Sequence, residues 1–253
     1  VITIGDIIGE PGRKAVQEIL PGLIREYSID LVVANGENVA HGLGITIPTA
    51  YELFNAGVDV ITTGNHIWAK REIIPHLDGQ IPIIRPLNFP PGAPGIGSWT
   101  AKNVIVVNLI GRVFVGDYDC PFRTMDSFLA GFEGQKRAII VDFHAEATSE
   151  KIAMGRYLDG RVSALVGTHT HVGTVDAKIL PGGTAYVTDI GMVGPEDSVI
   201  GDNTESVIHS FLTRMPHRIS VGRGKVVFMA MLIDIDIDTG KATNIERIRR
   251  EYP

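Results

Sequence analysis

Ile29-Asp30-Leu31-Val32-Val33-Ala34 is apolar almost throughout and runs into Asn35-Gly36-Glu37-Asn38. A strand this apolar is expected where both faces of a parallel sheet are covered. Open α/β sheets place their ligands beyond the carboxyl ends of the strands, and Glu37 falls at such an end. Working outward, the same arrangement recurs. Val1 to Ile4 leads into Gly5-Asp6, and Val58 to Thr62 leads into Thr63-Gly64-Asn65-His66. Arg137 to Phe143 ends at His144, and Val162 to Val166 leads into Gly167-Thr168-His169-Thr170-His171. Strand ends that carry Asp, Glu, Asn and His imply one shared site, with hydrolysis at a pair of metal ions as the expected chemistry.

Helical patterns separate the early strands. Val16, Ile19, Leu20, Leu23 and Tyr27 fall on one face of a helix predicted from about Arg13 to Tyr27, which Pro21 should kink or divide. Pro48 to Asn55 predicts a second helix closed by Gly57, and Ala69 to Leu77 a third. With Ile81 to Ile84 as a further strand, this alternation argues for a parallel sheet. Asn88 to Gly97 reads as a Pro- and Gly-rich loop. Lys102 to Leu109 and Arg112 to Val115 read as antiparallel strands about Ile110-Gly111. Gly116 to Gly134 has weak periodicity. Beyond it, Ser149 to Leu158 and Glu205 to Thr213 read as helices, and Ala177 to Leu180 and Ala185 to Thr188 as strands. Val226 to Ile237 and Ala242 to Ile248 form an expected hairpin. Asp234, Asp236 and Asp238 alternate along it, which places them on the solvated face. No domain boundary is visible, so residues 1–253 are expected to form one domain.

Composition narrows the function. The chain has 253 residues and a formal net charge of −6. That balance argues against a binder of long nucleic acid, which relies on Lys and Arg against phosphates, but permits a small phosphate ester. Arg247, Arg249 and Arg250 form the one basic cluster and read as a solvated face. No apolar run is long enough for a transmembrane helix, and no signal peptide is visible. The single cysteine, Cys120, cannot form an internal disulfide, which suits a reducing cytoplasm. It reads as a small buried turn residue rather than a reactive thiol.

Each candidate also has an ordinary reading. Asp6 would serve as a helix cap, Glu37 as a solvated loop residue, and His144 as a core or hinge histidine. Asn65 offers a carbonyl oxygen, and His66 can bind metal or move a proton. His169 and His171 would point to opposite sides of an extended chain; on a bent loop they could chelate one ion. His76, His209 and His217 read as surface or capping residues, and His41 lies in a Gly-rich loop that could approach a substrate.

Together these residues resemble the calcineurin-like metallophosphoesterases. That pattern has Gly-Asp after the first strand, an acidic bridge after the second, Gly-Asn-His after the third, then a lone His and a Gly-His-x-His string. Here they stand as Gly5-Asp6, Glu37, Gly64-Asn65-His66, His144 and Gly167 to His171. The chain is more similar still to the bacterial YmdB-like branch, through Gly5 to Arg13, Asn35 to Asn38, Asp119-Cys120-Pro121-Phe122 and Gly191 to Ser198. The resemblance implies a four-layer α/β/β/α sandwich around two divalent or mixed-valence metal ions, and phosphodiesterase activity on 2′,3′- or 3′,5′-cyclic nucleotides. Carried over by position, one ion is held by Asp6, Glu37, Asn38 and His171. The other is held by Glu37, Asn65, His144 and His169. Mixed oxygen and imidazole donors suit Fe or Mn, with Zn also allowed.

The chain departs from the wider superfamily at Ile8, where that pattern has a histidine, and in having Glu37 where Asp is usual. Asn38 is the candidate replacement ligand. The expected reaction is attack of a metal-bridging hydroxide on phosphorus, with His66 as the catalytic proton donor to the leaving ribose oxygen. The rival readings are a non-catalytic nucleotide or phosphate sensor, using the Gly5 to Gly12 turn as a phosphate cradle, and a phosphatase or RNA phosphoesterase on the same metals. A homo-oligomer is compatible with all of these.

Overall fold

The structure, a computed structural model, describes residues 1–79, 81–216 and 218–253. His217, read above as a surface histidine, lies outside the described residues. The chain begins with β1 (Ile2–Ile4), β2 (Asp6–Ile7), α1 (Gly9–Glu26), β3 (Val32–Asn35), α2 (Ile47–Ala56), β4 (Val60–Thr62) and β5 (Ile83–Ile84). It continues with β6 (Ser98–Ala101), β7 (Val104–Ile110), α3 (Pro121–Ala130), β8 (Ala138–His144), α4 (Thr148–Leu158) and β9 (Ala164–Thr168). The last elements are β10 (Lys178–Ile179), β11 (Ala185–Val187), β12 (Met192–Pro195), α5 (Thr204–Thr213), β13 (Val226–Asp236) and β14 (Lys241–Tyr252).

Two sheets result. The first is 8-stranded and runs β2-β12-β13-β1-β3-β4-β5, with β14 paired to β13; the second is 6-stranded, β10-β11-β9-β8-β7-β6. Within the first, β1, β3, β4 and β5 are mutually parallel. Within the second, β7, β8, β9 and β11 are parallel. Each parallel set brings its carboxyl ends to one edge.

Strand alternation sorts the apolar side chains into three cores. Leu31, Val33, Val60 and Ile84 of the first sheet meet Val106, Ile140, Ala164 and Val166 of the second. The opposite face of the first sheet packs Ile2, Ile4 and Val32 under Val16, Leu20 and Leu53 of α1 and α2. The opposite face of the second packs Val107, Val141 and Leu165 under Met125, Met154 and Leu158 of α3 and α4. The order is therefore helix, sheet, sheet, helix, the four-layer sandwich expected above. Full burial of one such side chain contributes about 1.5–3 kcal/mol.

Several local expectations are corrected. Arg112 to Val115 is a turn, because the Glu150 carboxylate accepts the Arg112 and Val113 amides and draws the chain off the sheet. The antiparallel partner of β7 is instead β6. Ala69 to Leu77 forms 3₁₀ turns, Ile67–Ala69 and Arg71–His76, not an α-helix. α1 starts earlier than expected and continues through Pro21. Gln17, whose carbonyl loses its donor to that proline, is exposed and can meet water instead. Cys120 is half-buried at the N-cap of α3. Arg247 does not lie on a solvated face, since its guanidinium donates to the carbonyls of Ile190, Thr174 and Asp189. Asp234, Asp236 and Asp238 are exposed, as expected.

Candidate metal centre

The edge where both parallel sets end carries the candidate residues. The first sheet supplies Asp6 on β2, Glu37 and Asn38 after β3, and Asn65 and His66 after β4. The second supplies His144 at the end of β8, and His169 and His171 after β9. Asp6, Glu37, Asn38 and His144 are buried, and the rest are half-buried. Asp6 does not cap α1: the N-cap is Ile8, with no side-chain bond. Gly64 lets β4 end against the centre, because a methyl group there would overlap the His144 ring and the Glu37 carboxylate.

One group converges tightly. Donor atoms of Glu37, His144 and His169 lie within 4.8 Å of one another. His144 Nε2 is 3.1 Å from Asn65 Oδ1 and 3.0 Å from His169 Nδ1. Beside it, His171 Nε2 lies 3.5 Å from Asp6 Oδ1 and 3.3 Å from Asn38 Nδ2. The His169 amide donates to Asp6 Oδ2 at 3.1 Å, so the two halves are joined. The backbone at His169 and His171 has φ of 93° and 63°. The bent chelating geometry is therefore present, not the extended one.

Each of these histidines has its outer nitrogen tied to an acceptor. His144 Nδ1–H donates to Thr168 Oγ1 at 3.0 Å, and that hydroxyl donates onward to Asp142 Oδ1 at 2.7 Å. His171 Nδ1–H donates to the Ile200 carbonyl at 2.7 Å. His169 Nε2 lies 3.1 Å from Glu146 Oε2. Hydrogen bonds of this kind fix tautomer and ring orientation in metal sites. They aim Nε2 of His144, Nε2 of His171 and Nδ1 of His169 at one region.

The carboxylates complete the test for a metal. Burial would raise both acids, but His171 and His144 pull Asp6 below the usual carboxylate range, and His144 and His66 hold Glu37 well below it. Both are therefore ionised at neutral pH. Yet Asp6 Oδ1 and Glu37 Oε1 are buried without a hydrogen-bond donor. His144 Nε2 and His66 Nδ1 lie 3.1 and 3.2 Å from Glu37 Oε1, but neither is aligned to donate to it. Charged oxygens are not left dry without compensation. The donor set of two carboxylates, three imidazoles and two amides fits a cation or two at this place.

The two halves are not equivalent. Glu37, His144, His169 and Asn65 make a full cluster of donors. The other half has Asp6, His171 and Asn38, with Ile8 buried beside them. Asn38 Oδ1 faces His66 Nδ1 at 2.9 Å while its Nδ2 faces His171. A half-turn of the amide would present the oxygen to the His171 side. His66 keeps its backbone N–H on Glu37 Oε2 at 3.0 Å. A cavity of about 200 Å³ opens over these groups, lined by Ile8, Asn38, Leu43, His66, Ile200 and Asp202. His41 is exposed and does not line it, although its neighbours Gly42 and Leu43 do. A larger hollow of about 590 Å³ lies away from this centre, around Cys120 and Arg123.

The groups that tie the outer nitrogens were missed in the sequence. Thr168 stood inside the Gly167 to His171 string, and Glu146 stood two residues after His144. Asp142 was the one acid in an otherwise apolar strand, which was the available signal.

Layers and donor set together define a metallophosphoesterase-like α/β/β/α sandwich. The chain belongs to the YmdB-like protein family, whose pattern matches residues 2–248. It is 47% identical over 252 residues to a Bacillus subtilis protein named 2′,3′-cyclic-nucleotide 2′-phosphodiesterase, covering 98% of this chain and 96% of that one. A crystal structure of a hypothetical protein from Thermus thermophilus matches with a TM-score of 0.92 and 43% identity, over 100% of this chain and 99% of that one. A crystal structure described as a novel phosphatase of Mycoplasma pneumoniae matches with a TM-score of 0.92 and 33% identity, over 99% and 92%.

Proposed function

We propose that this protein is a metal-dependent phosphodiesterase that opens 2′,3′-cyclic nucleotides. The observation that carries the reading is the pair of buried, undonated carboxylate oxygens with three imidazole nitrogens turned to the same place. The name of the Bacillus subtilis relative supports the substrate class. Asp6, Glu37, Asn38 and His171 would hold one ion, and Glu37, Asn65, His144 and His169 the other, with Fe or Mn favoured and Zn allowed. Bound there, such ions supply Lewis acidity toward a phosphoryl oxygen and lower the pKa of water toward about 7.

The chain's own residues do the rest. The outer-nitrogen bonds of His144, His169 and His171 keep the donors in register without reorganisation on binding. His66 is the proton donor. Glu37 Oε2 holds its backbone N–H at 3.0 Å, and its half-exposed ring turns toward the cavity. Water gives one proton to bulk solvent and adds to phosphorus as hydroxide, the bond from phosphorus to O2′ breaks, and His66 delivers a proton to O2′ and is reprotonated from solvent. The product is a 3′-phosphomonoester. Positioned proton transfer of this kind contributes about 10²–10⁴ in rate. Leu43 and Ile200 offer an apolar wall for the nucleoside.

The test is turnover by the Mn-loaded protein of 2′,3′-cyclic AMP, 3′,5′-cyclic AMP and p-nitrophenyl phosphate, with product identity by chromatography. The reading expects 3′-AMP from the 2′,3′ ester as the preferred reaction. Nucleotide bound but recovered intact would support a sensor instead. Preference for the monoester would support a phosphatase.

A further inference from the structure

His169 and His171 both sit at positive φ, a conformation that side-chain-bearing residues seldom adopt. Such a turn persists only when its surroundings hold it. Thr170, between the two histidines, makes the holding contacts. Its backbone N–H donates to Asp189 Oδ2 at 3.2 Å and its hydroxyl donates to the same oxygen at 2.6 Å. Lys151 Nζ, from α4, donates to Asp189 Oδ2 at 2.8 Å and to Thr170 Oγ1 at 3.3 Å. Asp189 and Lys151 are 0% and 1% exposed.

The clamp is anchored on its far side. Asp189 Oδ1 accepts the Gly191 amide at 2.8 Å. The Asp189 carbonyl accepts from Arg247 at 3.1 Å and from the Thr174 amide at 3.1 Å. The turn also starts under constraint, because a methyl group on Gly167 would overlap the Thr188 carbonyl.

We infer that the buried Lys151–Asp189 pair, acting through Thr170, is the device that bends the His169-Thr170-His171 turn so that both imidazoles face the metal centre. These are positioning residues, since no hydrogen bond or ion pair of Lys151 or Asp189 with a candidate ligand's side chain is present among the described residues. The chemistry suits the role. A buried ion pair is weak as a source of stability, but neither partner can leave without stranding the other's charge, so the two stay where they meet. The inference rests on the metal reading proposed above.

The experiment is titration of Mn²⁺ by calorimetry into the wild type, Thr170→Val, Thr170→Ser and Asp189→Asn, with near-UV circular dichroism of each metal-free protein. Thr170→Val removes the hydroxyl bond but keeps the amide bond and the ion pair, so it reads the clamp if Asp189→Asn does not fold. Loss of an outer-shell partner typically weakens a metal about 10–100-fold. That loss is expected for Thr170→Val with a native spectrum, and Thr170→Ser should restore the affinity. A folded Thr170→Val protein that binds Mn²⁺ as the wild type does would overturn the inference and leave the metal reading standing. A wild type that binds no Mn²⁺ would overturn both.

Discussion

His171 holds a proton where a metal would take its lone pair. Burial would lower its pKa, but the Asp6 carboxylate and the Ile200 carbonyl raise it to about 9 from an ordinary 6.5. The folded metal-free protein therefore binds this proton more tightly than the unfolded chain. Its contribution to stability is complete below about pH 6.5 and is lost as pH rises through about 9. Urea unfolding in chelator should show this fall in the wild type, and His171→Gln should flatten it. Metal must displace the same proton, so adding Mn²⁺ at pH 7.5 should release acid into a weak buffer. His169 behaves oppositely: burial and the nearby His144 push it down to about 4, so it stands ready as a neutral donor. Glu37→Gln should remove the charge shared by both halves and reduce bound metal, measured by elemental analysis. His66→Ala should leave metal content unchanged and cut turnover by about 10²–10⁴. Loss of metal in that variant would instead make His66 a ligand.

At the scale of elements, the site depends on how strands end. Gly64 precedes Asn65 and His66, and no side chain fits between it and the His144 ring. Gly64→Ala should therefore displace His144 or Glu37 and cost about 1–3 kcal/mol in unfolding free energy, together with metal binding. The strands that carry the candidate ligands were legible because Val32 to Asn35, Val60 to Thr62 and Ala138 to His144 are short, largely apolar runs that end abruptly in polar residues. The motif glycines and histidines were legible because chemistry fixes their type. Other elements left no such mark. β2 and β12 span 2 and 4 residues, too short for a period; β12 pairs with the long β13, and β2 pairs with β12 at the edge. α3 lies in the stretch of weak periodicity, and only Pro121 and Met125 of it are buried. Arg112 to Val115 looks like a strand by composition, but Glu150, far along the chain, decides it. The Lys151–Asp189 clamp joins residues distant in sequence and was invisible for the same reason.

At the scale of the whole molecule, the two sheets share one apolar interface, and the candidate metal centre lies across their common edge. We propose that residues 1–253 unfold as one unit. Calorimetry should then give one transition with calorimetric and van't Hoff enthalpies equal. Two separated transitions would mean that each sheet folds with its own helices. Metal at about 100 times its dissociation constant should stabilise the folded state by about 2.7 kcal/mol per site and raise the midpoint. The most direct test of the account is an anomalous difference map from a crystal of the Mn-loaded protein. The account predicts two peaks flanking the Glu37 carboxylate, one against Asp6 and His171, the other against Asn65, His144 and His169. A map with no peak there, or with manganese only at unrelated surface carboxylates, would contradict it.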